Sequence, residues 1–223
     1  MDKRLFSQAI TKFLSGLLLI GVLLFLPAGT FAYWQGWLLI GILFIPMFIA
    51  GVVMMNKCPD LLRKRLNAKE EQDEQKSVVL LSGLMFLAVF VAAGLNFRFR
   101  WDVLPSWVSY TAAVVFLLGY ALYAEELREN AYLSRTVRVE ENQKVIDTGL
   151  YGIVRHPMYL STFIMFLSKP LVLGSPISFL IMLFYIPIIA KRIRNEEAVL
   201  EKELDGYKEY KQRVRYKVIP FIW

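Results

Sequence analysis

Four long stretches of this chain contain no Asp, Glu, Lys, Arg or His: Phe13 to Asn56, Ser77 to Phe97, Val103 to Ala124 and Pro170 to Ala190. A helix needs about 20 apolar residues to cross a ~30 Å hydrocarbon layer, and every one of these stretches is long enough. A soluble core could hide one such run, but hardly four. The first spans 44 residues, too many for one crossing, and predicts a helical hairpin turning at Pro27-Ala28-Gly29-Thr30. In all, the pattern predicts about six membrane segments, near 9–27, 33–55, 78–97, 106–125, 157–173 and 176–190. The last two are short and form a hairpin around Gly174-Ser175-Pro176. The expected fold class is an all-α integral membrane protein.

Basic residues orient the segments, because cytoplasmic loops of membrane proteins carry an excess of Lys and Arg. The parts 1–12, 56–77, 126–157 and 191–223 should share one side, and they hold 23 of the 26 Lys and Arg. The other side has Arg98 and Arg100, while Lys169 lies within the fifth segment near its outer end. Both termini are therefore expected in the cytoplasm. Lys3, Arg4 and Lys12 precede an apolar run, as a secretory signal requires. The apolar character resumes at Trp34 without a clear small-x-small cleavage pattern, which favours a retained anchor.

Composition adds less. Hydrophobic residues make up 57% of the chain and the mean hydropathy is +0.46, above ordinary soluble usage. The net charge of +7 finds no soluble domain to serve nucleic-acid binding, and suits attraction to anionic lipid headgroups. Within Asn56–Lys76, the run Arg63-Lys64-Arg65 followed by Glu70-Glu71-Gln72-Asp73-Glu74 reads as an interfacial helix or a solvated connector. The single cysteine, Cys58, excludes an internal disulfide and a multi-cysteine metal site. It reads as a small residue at a helix end, and no metal centre is expected.

The polar residues that need a reason crowd into the last hundred positions, on the side expected to be cytoplasmic. The fourth segment runs on into Glu125-Glu126-Leu127-Arg128-Glu129-Asn130, and Val137-Arg138-Val139 suggests a short extended piece. Farther on, Gly149 and Gly152 permit tight turns, and Pro157 suits the first turn of a helix, with His156 at its cap. Arg155, His156 and the helix N-terminus would make a basic, anion-binding lining; the bland alternative is a membrane-entry cap with an interfacial histidine and tyrosine. The sixth segment leaves the bilayer as Lys191-Arg192-Ile193-Arg194-Asn195-Glu196-Glu197. Spacing puts Arg192 with Glu196, and Arg194 with Glu197, on shared helix faces. Because a hairpin joins the two segments, the His156 end and the Glu196 end should converge, bringing opposite charges to one spot.

These residues carry a resemblance. Gly149-Leu150-Tyr151 through Arg155-His156-Pro157-Met158-Tyr159, then Arg192, Glu196-Glu197, Leu200, Tyr207-Lys208-Glu209-Tyr210-Lys211 and Pro220 resemble the isoprenylcysteine carboxyl methyltransferase family. More broadly they resemble the membrane methyltransferases that include phospholipid methyltransferases. The match covers about Gly119 to Pro220. The resemblance implies transfer of a methyl group from S-adenosyl-L-methionine to a lipid-like or prenylated acceptor, in a cytoplasmic cofactor pocket. It implies that Gln143, Lys144, Val145 and Ile146 form the loop lying on the cofactor. Tyr151, His156, Pro157, Met158 and Tyr159, with Glu196 and Glu197, would complete the cofactor site. Arg192 would orient the acceptor carboxylate and act with Glu196 as the catalytic pair, although Arg194 sits close enough to be its alternative. The chain departs from the pattern at Ser161, where many relatives have glycine, and in a one-residue gap between Glu197 and Tyr207.

The residues themselves fit that cofactor: carboxylates suit its cationic part, the basic cap its carboxylate, and an apolar loop its ring. Methyl transfer is an in-line displacement, so the protein mainly positions the partners and excludes water. The expected organisation is 1–118, N-terminal membrane helices with the linker 56–77, and 119–223, a methyltransferase-like core ending in a cytoplasmic helix. The acceptor would enter from the membrane, and a prenylated cysteine is one of several lipophilic possibilities. Two rival readings remain at this point. Membrane sterol reductases share a similar Arg-x-Pro-x-Tyr box and use NADPH, but they usually follow the tyrosine with Gly-Glu, where this chain has Ser161-Thr162. A transporter or non-catalytic scaffold would call for inverted repeats or ionisable residues at the bilayer midplane, and neither is evident.

Overall fold

The computed structural model describes residues 3–66, 73–130, 132, 139 and 142–223. These residues form helices and loops, with no strand among them. The 44-residue apolar run folds as the expected hairpin of α1 (Lys3–Ala28) and α2 (Trp34–Lys57). Gly29 ends α1 with φ +68°, a conformation that glycine adopts at no steric cost. The loop is closed by aromatic packing: the Phe25 ring lies 4.7 Å from Trp37 and 5.4 Å from Phe31. Tyr33 then ties the hairpin to the rest of the bundle. Its ring stacks on Phe97 at 4.4 Å and its hydroxyl donates to the Leu173 carbonyl at 2.7 Å.

A short helix, α3 (Pro59–Leu66), carries Arg63-Lys64-Arg65, so that part of the linker is helical as expected. The acids Glu70 and Glu71, and the extended piece expected at Val137-Arg138, lie outside the described residues. Asp73 and Glu74 are not part of a connector but open α4 (Asp73–Phe99). This helix packs closely on α1: a Cβ at Gly94 would stand 2.6 Å from the Leu24 carbonyl oxygen, so only glycine permits that approach. α5 (Ser106–Glu129) extends past the apolar run to Asn130, its C-cap. It lies along α6 (Pro157–Val172), the most extensive helix pairing in the molecule.

α6 begins with Pro157 at its first turn and His156 at the cap, as the sequence suggests. A turn at Gly174 leads to α7 (Pro176–Met182), where Ser175 caps the helix by accepting from the Ser178 N–H at 3.3 Å. The expected sixth segment is not one straight helix. It breaks after α7 at Leu183–Phe184 and resumes as α8 (Tyr185–Glu203), which continues well beyond the apolar run. A last short helix, α9 (Tyr207–Arg213), folds back beside it.

Five of these units are long and apolar enough to cross a membrane: α1, α2, α4 from Gln75, α5, and α7–α8 taken together. Their outward faces present Leu18, Leu19, Leu26, Ile45, Leu80, Leu84 and Leu118 to the surroundings. An apolar girdle of this size suits lipid rather than water. The chain is a multi-pass integral membrane protein. α6, at 16 residues, is about 24 Å long at 1.5 Å per residue, shorter than the hydrocarbon layer.

Candidate active site

α5, the N-terminus of α6 and α8 meet at one end of the bundle, with α9 and the 143–146 segment closing over them. Each carries part of a cavity of about 860 Å³, counting its open mouth. Gly149 shows how tightly this end is built. It adopts φ +53°, and any Cβ there would run into the Glu129 carboxylate, which accepts the Leu150 N–H at 3.1 Å. A 3-10 turn, Gly149–Gly152, follows and aims Tyr151 inward. The Tyr151 hydroxyl donates to Glu126 at 2.8 Å and accepts from the Asn130 amide at 2.6 Å. Burial, and then the nearby Glu126, hold the Tyr151 phenol well above its ordinary pKa, so it remains a donor.

Opposite stands Glu196 on α8. It accepts a short hydrogen bond from the Tyr159 hydroxyl, and the same Tyr159 oxygen accepts from the Arg192 guanidinium at 3.0 Å. The His156 ring lies 3.9 Å from Glu196 through Nδ1. Arg192, Tyr159, Glu196 and His156 therefore form one connected polar wall. Above it, Val145 packs with Leu200, Leu204, Tyr207 and Tyr210 to make an apolar roof. Arg213 pairs with Asp147 at 2.7 Å, and the Tyr210 hydroxyl donates to the Tyr151 carbonyl at 2.8 Å. These two contacts pin the loop to α9.

Ten of the twelve residues singled out in the sequence line this cavity: Gln143, Lys144, Val145, Ile146, Tyr151, His156, Met158, Tyr159, Arg192 and Glu196. Pro157 does not; it is buried in the first turn of α6. Glu197 does not either, and the reason is electrostatic. Its carboxylate is taken by Arg155 Nε at 2.8 Å, Lys217 at 3.2 Å, His156 Nε2 at 3.3 Å and Lys211 at 3.8 Å. Arg155 in turn donates to the carbonyls of Val214 and Arg215 at 2.7 and 2.8 Å. The Arg155 and His156 N–H groups donate to Tyr216 and Lys217 at 2.9 and 2.8 Å. Although Arg155 touches the cavity wall, its guanidinium is engaged behind that wall and does not serve as the open anion site the sequence suggests. Arg194, exposed on the outer face of α8, is also away from the cavity.

The Arg155–Glu197 pair thus fastens the C-terminal tail to the entrance of α6. Breaking one side of a buried ion pair strands the other charge, at about 3–5 kcal/mol. Glu197→Ala is accordingly expected to lower the melting temperature of the detergent-solubilised protein by many degrees. A melting temperature within about 2 °C of wild type would remove this tie from the account.

The structure also supplies residues the sequence reading passed over. Glu126, Asn130 and Tyr207 face the cavity, and one Glu126 oxygen and the Tyr207 hydroxyl are buried without a hydrogen-bond partner. Buried polar atoms normally find partners, and these two have none. Burial raises the Tyr207 phenol above its ordinary pKa, leaving it a neutral donor and acceptor. In sequence Glu126 looks like one more charge on a solvated helix end, and only its 1% exposure sets it apart.

Residues 112–202 match the sequence profile of the isoprenylcysteine carboxyl methyltransferase (ICMT) family. Protein-S-isoprenylcysteine O-methyltransferase B of Arabidopsis thaliana is 32% identical over 127 residues, covering 52% of this chain and 61% of that protein. The Delta(14)-sterol reductase TM7SF2 of Mus musculus is 31% identical over 93 residues, covering 40% of this chain and 22% of that protein. The chain therefore spans less than two thirds of the curated relatives it matches. A solved structure of the eukaryotic intramembrane Ras methyltransferase ICMT superposes with a TM-score of 0.58 at 20% identity, over 96% of this chain and 77% of that one. The resemblance carried by the Arg155-His156-Pro157-Met158-Tyr159 box is borne out: the chain is similar to the isoprenylcysteine carboxyl methyltransferase family in sequence over residues 112–202, and its fold resembles that of the solved structure over nearly its whole length.

Proposed function

We propose that this chain is a membrane methyltransferase that uses S-adenosyl-L-methionine to methylate the carboxylate of a lipophilic, prenylcysteine-like acceptor. The observation that carries the reading is the Arg192–Tyr159–Glu196 chain of hydrogen bonds. One phenol there couples a cation suited to an acceptor carboxylate to an anion suited to a cationic cofactor.

The cavity fits the cofactor in chemistry. Its roof of Val145, Leu200 and Leu204 is apolar enough for an adenine ring. Two buried orphan atoms await polar partners. When bound, S-adenosylmethionine supplies an electrophilic methyl group. Glu196 would hold the α-ammonium of the amino-acid end, with His156 beside it. The 143–146 segment would cover the base and keep water out. Arg192 would fix the acceptor carboxylate in line with the methyl group, where positioning accounts for most of the acceleration. No general base is needed, because an ionised carboxylate is itself the nucleophile.

Placement in the bilayer follows from the same elements. The short α6 leaves the cavity at one membrane surface, and the distribution of Lys and Arg favours the cytoplasmic one, with both termini on that side. α6 then serves as a sixth, incomplete crossing packed on α5. An acceptor would enter sideways from the lipid, while basic residues of the linker and tail meet anionic headgroups. The 119–223 half supplies nearly all of the site.

The similarity to a sterol reductase gives the competing reading, hydride transfer from NADPH. Charge favours methyl transfer: the cavity turns the carboxyl groups of Glu126 and Glu196 inward, where a sulfonium and an α-ammonium need anionic partners, and ties Arg155 to Glu197. Purified protein is expected to be stabilised against heat by S-adenosylhomocysteine and left unchanged by NADPH. The opposite pattern would replace the methyltransferase reading with the reductase one.

A further inference from the structure

Glu126 stands on the last turns of α5, 1% exposed, with its side chain turned into the cavity. One oxygen receives the Tyr151 hydroxyl at 2.8 Å. The other, Oε2, is buried and has no hydrogen-bond partner. Arg65 on α3 is close enough to act on the carboxylate electrostatically, yet it forms no hydrogen bond to that oxygen. The Glu196 carboxylate faces the same cavity from α8 and is felt by Glu126 as a like charge. Two carboxyl groups sharing one site are both favoured as carboxylates only when a positive charge lies between them. Glu196 already has His156 and Tyr159 as neighbours. Glu126 has only neutral hydroxyl and amide company inside the cavity.

Resting on the methyltransferase reading above, we infer that Glu126 reads the charge of the cofactor's sulfur, favouring the methylated sulfonium over the demethylated thioether. Methyl transfer breaks the sulfur–methyl bond, forms an oxygen–methyl bond on the acceptor carboxylate, and cancels one positive against one negative charge. The cofactor thus enters with two cationic centres and leaves with one, the α-ammonium. A site with two facing carboxylates matches the first state. After transfer the buried Oε2 again lacks a cationic partner, so the fold itself disfavours the spent product and promotes its release. Nothing in this role requires Glu126 to touch the acceptor; it is a specificity residue for the donor.

The test compares two ligands on the full chain in lipid nanodiscs by calorimetry: sinefungin, in which an ammonium-bearing carbon replaces the methylsulfonium, and S-adenosylhomocysteine. Wild type is expected to bind sinefungin about tenfold or more tightly than S-adenosylhomocysteine, the scale of one partly screened ion pair. Glu126→Gln keeps an acceptor for Tyr151 and removes only the charge. It is expected to weaken sinefungin about five- to tenfold while leaving S-adenosylhomocysteine within about twofold. Equal losses for both ligands would mean that Glu126 touches a part they share, and would overturn the inference while leaving the methyltransferase reading intact. Unchanged affinity for both would overturn it too. Should Glu126→Gln fail to fold, the wild-type ratio decides, since equal or weaker binding of sinefungin rules the charge reading out. If wild type binds neither ligand, the methyltransferase reading fails first and the inference falls with it.

Discussion

Replacing Glu196 with alanine is expected to abolish measurable binding of S-adenosylhomocysteine while the protein stays folded. Glu196 is the half-open member of the acid pair: 23% of its side chain is exposed, against 5% for Glu197. Its contacts are with cavity-wall groups, Tyr159 and His156, not with Arg155, Lys211 and Lys217, which hold Glu197 to the tail. Removing it leaves the Tyr159 hydroxyl without its acceptor and an α-ammonium without its counter-ion. Truncating one partner of a desolvated, hydrogen-bonded charge pair costs about 2–5 kcal/mol in affinity, enough to carry a micromolar ligand beyond calorimetric detection. The comparison with Glu197→Ala separates the two acids. The first variant should lose ligand and keep its melting temperature, and the second should lose stability. If Glu196→Ala binds with unchanged affinity, the carboxylate has no part in holding the cofactor.

That distinction marks where sequence reading stopped. Adjacent positions on a helix point about 100° apart, so the pattern shows that Glu196 and Glu197 must diverge but not which one turns inward. What decides is a contact across the chain: Arg155, fixed to the Val214 and Arg215 carbonyls, arrives together with Lys217 on the Glu197 side. No local spacing encodes the tail's return to the entrance of α6. Glu126 was illegible for a similar reason. Its neighbours Glu125 and Arg128 do form an exposed pair at 2.5 Å, the solvated helix end that such a run normally denotes, and Glu126 simply lies on the other face of the same turn. By contrast, the membrane hairpin, the capped start of α6 and the Gly174 turn were legible, because each rests on local chemistry: uncharged length, a proline at a first helical position, a glycine in the left-handed region. The break at Leu183–Phe184 was not, since nothing polar or flexible marks it in the sequence.

Arg192→Ala is expected to leave S-adenosylhomocysteine binding within about threefold of wild type and to cut methyl transfer by about a thousandfold or more. The guanidinium is linked to the cofactor side of the cavity through Tyr159. It also meets Gln75, whose Oε1 lies 3.5 Å from Nη1 and which is itself fully buried on α4. Arg192 is therefore held from behind by the N-terminal half of the molecule, and its planar guanidinium has the fork geometry that takes a carboxylate in two-pronged fashion, which lysine cannot reproduce. Alanine removes the clamp that orients the nucleophile, and misplacing a reactant by about 1 Å can cost about a hundredfold; losing the charge as well accounts for the rest. Arg192→Lys should recover only a small part of the rate, because it restores charge without the fork. Arg194→Ala, on the exposed face of α8, serves as the control and should turn over normally. Single-turnover assays with methyl-labelled cofactor and a prenylcysteine acceptor separate these outcomes. Full-rate methylation by Arg192→Ala, or loss of it in Arg194→Ala, would move the acceptor site away from the Tyr159 wall.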